Sequence, residues 1–289
     1  MKHVKLFEAF STISLTEDQK IWLDKYAKGG WSLNPSTGLV DVDVDFYCAG
    51  QGLKDFNGVA FGHVDGGFGC DNNQLTSLEG APHTVNGSFY CGRNQLPSLV
   101  GAPKTVKGNF NCSNNQPFLT SLIGAPQTVG GGFYCSDNQL TSLDGAPKTV
   151  KGDFLCHYNQ LTSLDGAPKI VNGNFHCDNN QLTSLVGAPE TVGESFYCEG
   201  NQLTSLDGAP KTVGWGFYCE ANPISERTLA SIFSLMKKGK SYQQALEEFW
   251  PELDDEDRIL MYKDHSSLTP EEIRRYQALD TVNRIKNYL

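Results

Sequence analysis

The chain has 289 residues, of which 39% are hydrophobic, enough for one extended repeat domain with flanking modules and a substantial core. Its net charge of −10, with no extended basic run, weighs against a phosphate-tracking nucleic-acid surface, which needs clustered Lys and Arg. No stretch approaches the ~18 uninterrupted apolar residues of a membrane span. The start, Met1-Lys2-His3-Val4-Lys5-Leu6-Phe7-Glu8, lacks the long apolar run and cleavage site of a signal peptide, so a cytoplasmic protein is expected.

The first predicted element is a helix over roughly 17–27. Thr16 and Gln19 form a capping box at its start, and Gly29-Gly30 stops it. Val40, Val42, Val44 and Phe46 then alternate with Asp41, Asp43 and Asp45, which predicts a strand with one acidic face. The Asp-x-Asp-x-Asp run lacks the glycine and the twelfth-position glutamate of an EF-hand, so it is read as structural. Residues 1–45 are assigned to an N-terminal helix-and-strand cap.

Residues 46–222 repeat. The nine cysteines, Cys48, Cys70, Cys91, Cys112, Cys135, Cys156, Cys177, Cys198 and Cys219, are spaced by 22, 21, 21, 23, 21, 21, 21 and 21 residues. A fixed period in this range is the mark of a solenoid, here of about eight 21-residue coils. The unit is clearest from Phe154 to Gly173 and reads F-x-C-x-x-N-Q-L-T-S-L-x-G-A-P-x-x-V-x-G. Phe and Cys flank one variable residue, so both face inward from a short strand. The Asn three after each Cys ends the strand; its amide has the donors and acceptor to satisfy turn backbone and to repeat that bonding in the next coil. The leucines point inward, and Gly-Ala-Pro turns the chain.

This pattern resembles the leucine-rich repeat, with Phe154, Cys156, Asn159, Leu161 and Leu164 matching its later positions over about 60% of the chain. Val150 fits poorly, standing four rather than three residues before Phe154. The N-Q-L-T-S-L-x-G-A-P wording is also similar to that of bacterial and bacteriophage repeat proteins. The resemblance implies an α/β repeat solenoid with one parallel sheet stack, its exposed strand residues lining a concave surface.

Past Asn222-Pro223 the period ends and helical signals begin. Ser225, Ser241, the acidic run Asp254–Asp257 and Thr269-Pro270-Glu271-Glu272 each open a predicted helix. Residues 223–289 are therefore assigned to a small all-α C-terminal domain or cap.

Catalytic patterns are absent: there is no Walker loop, H-E-x-x-H or G-x-S-x-G. The cysteines share one inward slot, which points to reduced core thiols rather than disulfides, and no C-x-x-C pair offers a zinc chelate. Cys135-Ser136-Asp137 matches the Cys-x-Asp of a bacterial ubiquitin-ligase class that also carries leucine-rich repeats. Here, however, Cys135 fills the core slot. His157 and His176 occupy different slots, the first after its Cys and the second before it, so neither a metal nor a cofactor is expected.

The variable residue between Phe and Cys is Tyr47, Gly69, Tyr90, Asn111, Tyr134, Leu155, His176, Tyr197 and Tyr218 in successive coils. Stacking predicts an aromatic ladder, bordered toward the C-terminal coils by His157, Asp178, Glu199 and Glu220 after the cysteines, with Arg93, Asp137 and Tyr158 in a third exposed column. Tyr is a favoured interface residue because it offers large contact area at small entropic cost. The 23-residue interval contains a two-residue insertion at Pro117-Phe118, and Phe118 is a further candidate anchor. The expectation is a non-enzymatic scaffold for a partner protein, with no membrane and no nucleic acid bound. Two alternatives stand beside it. One is a structural, self-assembling protein. The other is an acidic nucleic-acid mimic, although residues 45–222 carry only 8 basic against 15 acidic residues.

Overall fold

Each regular coil offers only two-residue runs able to pair as strands, so none buries its apolar side chains alone and stacking is obligatory. The computed structural model describes residues 14–224, apart from 116 and 118. It is a parallel β-solenoid of about eight turns with an N-terminal helical cap. The helices expected from Ser225 onward lie outside the described residues, as does Phe118.

The expectation of one parallel sheet is corrected: each regular coil contributes a strand to each of two sheets. One is ten-stranded and holds the Thr-Val strands from Thr84–Val85 to Thr212–Val213, with Ile170–Val171 in one coil, preceded by Trp31–Leu33, Val40–Val42 and Phe61–Val64. The other is nine-stranded and runs from Phe46–Tyr47 to Phe217–Tyr218. The misfit of Val150 to the leucine-rich pattern now has a cause, since Val150 and Phe154 belong to different sheets. The corner between them carries a glycine because coils touch backbone to backbone there; a Cβ on Gly152 would lie 2.8 Å from the Gly132 nitrogen. Among the described residues no helix occurs within the coils.

Val, Phe, Cys and both leucines of the regular coils share one continuous core. The phenylalanines form a stack from Phe46 to Phe217 with ring centroids 5.1–5.6 Å apart. That spacing follows from the ~4.8 Å strand separation, with the rings tilted to the coil axis. All nine cysteines are free thiols buried in this core.

The asparagines bond the coils together. Asn94 Nδ2 donates to the carbonyls of Cys70 in the preceding coil (3.0 Å) and Cys91 in its own (3.1 Å), while its Oδ1 accepts from Leu75 N (3.0 Å). The same arrangement holds at Asn159, Asn180, Asn201 and Asn222. The inserted coil keeps this register by a local substitution: Asn115 N, not a leucine amide, donates to Asn138 Oδ1 at 2.7 Å. The Gly-Ala-Pro corner needs its glycine twice over. Gly166 has φ +93°, and a Cβ on it would approach the Leu143 carbonyl to 2.7 Å.

At the N-terminal end, helix α1 (Glu17–Tyr26) begins with the predicted Thr16–Gln19 capping box. Its Trp22 covers the end of the phenylalanine stack, 5.1 Å from Phe46. Strand β1 (Trp31–Leu33) pairs antiparallel with β2 (Val40–Val42) and covers the edge of the larger sheet. The single strand expected through Val44 and Phe46 is corrected: it breaks at the corner, leaving Val44 exposed. The aspartates there serve as acceptors for the next coil. Asp41 Oδ1 takes the His63 N–H and Asp45 Oδ1 the Gly67 N–H, each at 2.7 Å.

Candidate functional site

The outer face of the nine-stranded sheet carries the variable columns. Its parallel register aligns Tyr47, Gly69, Tyr90, Asn111, Tyr134, Leu155, His176, Tyr197 and Tyr218 rung by rung. A strand alternates its faces, so residues beside the buried Phe and Cys point outward. A continuous ring ladder exists among the last three rungs. His176 stacks on Tyr197 at 4.0 Å and 14°, and Tyr197 on Tyr218 at 4.7 Å and 10°. The earlier tyrosines are separated by Gly69, Asn111 and Leu155. Tyr47 lies instead over Gly67 and Gly69 of the next coil, where side chains would collide with its ring. Burial raises the Tyr47 and Tyr134 hydroxyl pKa values, helped by Asp45 and Asp153 respectively and by Tyr90.

The third column has a backbone constraint that the sequence did not announce. Asn72, Arg93, Asn114, Asp137, Tyr158, Asn179, Gly200 and Ala221 all sit at φ between 51° and 62°. Asn, Asp and Gly tolerate this left-handed corner, whereas Arg93, Tyr158 and Ala221 are strained in it. Tyr158 is 54% exposed and packs edge-on against His157 at 5.5 Å.

The column after the cysteines changes character along the stack. Gly92, Ser113 and Ser136 are buried, and the two serine hydroxyls bond at 3.1 Å. From His157 onward the column is half-buried and ionisable. His157, His176 and Asp178 each bring a ligand-type atom within 4.8 Å of the others. Adjacent columns one coil apart converge here, so the different repeat slots of the two histidines do not separate them as the sequence reading expected. His176 Nδ1 lies 3.2 Å from Asp178 Oδ1, and Asn179 Nδ2 donates to Asp178 Oδ2 at 2.9 Å.

Burial lowers the His157 pKa, against the attraction of Asp178, and its Nδ1 is buried without a partner. Glu199, one coil beyond Asp178, likewise buries an unpartnered Oε2. Burial, with Asp178 and Glu220 adding, pushes the Glu199 carboxyl up to about 7 against a backbone hydrogen bond. Burial works against ionised Asp178, but hydrogen bonds from His176 and Asn179 hold its carboxyl below the usual value.

Farther toward the N-terminal cap, Asp71, Tyr90, Arg93 and Asn111 line an open hollow of about 370 Å³ on the same face. Sequence reasoning placed Arg93 in the third exposed column but did not join it to this hollow. It also missed a polar ladder formed by the residue before each Phe. Asn109 N donates to Ser88 Oγ at 3.0 Å, Gly132 N to Asn109 Oδ1 at 2.7 Å and Asn174 N to Asp153 Oδ1 at 2.8 Å. Its varied lettering, Asp, Ser or Asn, conceals the shared acceptor role, and the glycines at this position join the ladder only as backbone donors.

Comparison with protein-family models, curated proteins and solved structures finds no match to this chain.

Proposed function

We propose that the protein is a non-enzymatic scaffold that binds a partner protein on the outer face of its nine-stranded sheet. The observation that carries this reading is the half-exposed ring ladder of His176, Tyr197 and Tyr218, stacked at 4.0 and 4.7 Å beside Asp178, Glu199 and Glu220. Stacked rings on short hydrogen-bonded strands lose little freedom when a partner docks, so less of the contact energy goes into ordering the site. The acidic flank favours a basic or hydrogen-bond-donating partner segment. Tyr158, exposed beside His157, extends the same surface. The resemblance of N-Q-L-T-S-L-x-G-A-P to bacterial and bacteriophage repeats adds a setting: a leucine-rich-like repeat protein acting on a host factor in the bacterial cytoplasm.

The test is affinity capture from bacterial lysate with the wild-type chain and with a Tyr197→Ala, Tyr218→Ala double variant, both verified as folded. A partner retained by the wild type and lost by the variant supports the assignment. Identical retained sets, or none from either, overturn it.

A further inference from the structure

We propose that His157, His176 and Asp178 form a binding site for a divalent transition-metal ion of the zinc class, with water completing the coordination. The geometry comes first. One ligand-type atom from each of the three residues lies within 4.8 Å of the other two. Two ligands held about 2.1 Å from one ion at roughly 100° to each other stand about 3.2 Å apart. His176 Nδ1 and Asp178 Oδ1 are separated by 3.2 Å, so this pair needs almost no movement to share an ion. His157, whose ligand atom lies within 4.8 Å of the other two, must close by a side-chain adjustment from a neighbouring coil whose backbone is fixed by the parallel ladder.

The second observation is a pair of unsatisfied atoms at the same place. Buried polar atoms ordinarily have partners. His157 Nδ1 and Glu199 Oε2 are two of only three buried side-chain polar atoms without one among the described residues, and they belong to the coils on either side of Asp178. An ion held by His157, His176 and Asp178 gives the His157 imidazole a partner that protein hydrogen bonds do not supply. The surroundings also resemble a ligand shell already held in place. Asn179 orients the Asp178 carboxylate from behind at 2.9 Å, and Tyr197 fixes the His176 ring plane by stacking at 4.0 Å.

Ligand chemistry selects the ion. Two imidazoles with carboxylate suit Zn²⁺ and its borderline neighbours, not Ca²⁺ or Mg²⁺, which want oxygen donors. The buried cysteines take no part, since each lies inside the core beneath the strand that carries the site. The site shares His176 and Asp178 with the proposed docking face, but it stands on its own three ligands whether or not that face docks a protein.

The full chain, stripped with a chelator, is titrated calorimetrically with Zn²⁺ and separately with Mg²⁺. The expected result is one equivalent of Zn²⁺ bound at micromolar concentration or tighter, with no Mg²⁺ binding. His157→Gln and Asp178→Asn should each weaken Zn²⁺ by at least about 10-fold, the scale on which even outer-shell changes act. Co²⁺ locates the ion in the unaltered protein, so the result does not depend on the variants folding: bound at this site, it broadens the Tyr197 ring resonances and shows no thiolate charge-transfer band. Absence of Zn²⁺ binding, unchanged affinity in both folded variants, a thiolate band or an unbroadened Tyr197 ring each overturns the assignment.

Discussion

The Asn180 side-chain amide reaches back one coil to the Cys156 carbonyl and donates to it at 3.1 Å. The same Nδ2 serves the Cys177 and Asp178 carbonyls at 3.1 and 3.2 Å, and Oδ1 accepts the Leu161 N–H at 3.0 Å. One side chain thus closes the turn of its own coil and fastens it to its neighbour. A tight turn leaves backbone groups facing inward that no strand can pair, so a buried side chain carrying both donors and an acceptor is required.

Removing that side chain should be costly. Asn180→Ala leaves a buried N–H and up to three carbonyls short of a partner, at ~1–3 kcal/mol for each group left bare. Relaxation and water entry reduce the total, giving an expected loss of about 3–5 kcal/mol. Asn180→Asp should be no better, because a carboxylate keeps the acceptor but loses the donors. Urea unfolding followed by circular dichroism checks this, and a loss under about 1 kcal/mol for the alanine variant contradicts the ladder's role.

The thiol column makes stability depend on alkaline pH. Burial raises the pKa of Cys48, Cys70, Cys91, Cys112, Cys135, Cys156, Cys177 and Cys198, that of Cys48 to about 12. Unfolded thiols titrate near ~8.5, so above that pH the folded chain holds protons that the unfolded chain has released. Stability is then fully present below about pH 8.5 and falls as pH rises, by about 1.4 kcal/mol per pH unit for each thiol. One unit above that point the eight thiols together remove about 11 kcal/mol, comparable to the ~5–15 kcal/mol stability of a whole domain. The melting temperature should change little between about pH 7 and 8, above the Glu199 titration, and collapse near pH 9.5–10. Cys→Ala changes at Cys156 and Cys177 should make the fall shallower, which separates thiols from lysine and tyrosine titration. A profile level to about pH 10.5 contradicts this account.

Tyr158 sits at φ 51°, a corner where most other coils carry Asn, Asp or Gly. A bulky L-residue there costs roughly 1–2 kcal/mol relative to its relaxed backbone, and Asn recovers part of that. Tyr158→Asn should therefore raise stability by about 0.5–1 kcal/mol in chemical denaturation. If Tyr158 contributes to partner binding, the same variant will be more stable yet bind less tightly. No change or a loss of stability shows that the Tyr158–His157 ring contact outweighs the backbone strain.

How much of this was legible in the sequence depended on whether a structural role uses one residue type. Cysteine, asparagine and the two leucines each fill a slot that accepts little else, so the period, the core and the asparagine bonding were readable. The two-sheet architecture was not, because Val150 and Phe154 look like flawed members of one strand until Gly152 is seen as a corner set by backbone contact. The acceptor ladder before each Phe was hidden because Asp153 and Asn174 do with different atoms what Ser88 does with a hydroxyl. The His157–His176–Asp178 cluster was hidden for a different reason. Periodicity compares like positions between coils and so pairs His157 with Asp178, whereas the cluster is completed by His176 from a different slot.

A solenoid's first coil presents unpaired strand groups and an uncovered core, so its cap should govern association as well as stability. Here Trp22 covers Phe46 at 5.1 Å, β1 pairs with the outer side of β2, and Lys28 N donates to the Asp45 carbonyl at 2.7 Å on the smaller sheet. A chain beginning at Leu39 would expose the Phe46 ring, the Val40–Val42 edge and the Phe46–Tyr47 edge at once. Parallel edges of this kind accept a further strand readily, so two such ends should meet or extend. Light scattering should show mass rising with concentration for the truncated chain and a smaller, concentration-independent mass for the full chain. Trp22→Ala, which opens only the ring contact, should cost about 2–4 kcal/mol without association, because β1 still covers the larger sheet's edge. Association of the Trp22→Ala variant equal to that of the truncated chain would place the barrier in the aromatic contact instead of the paired edge.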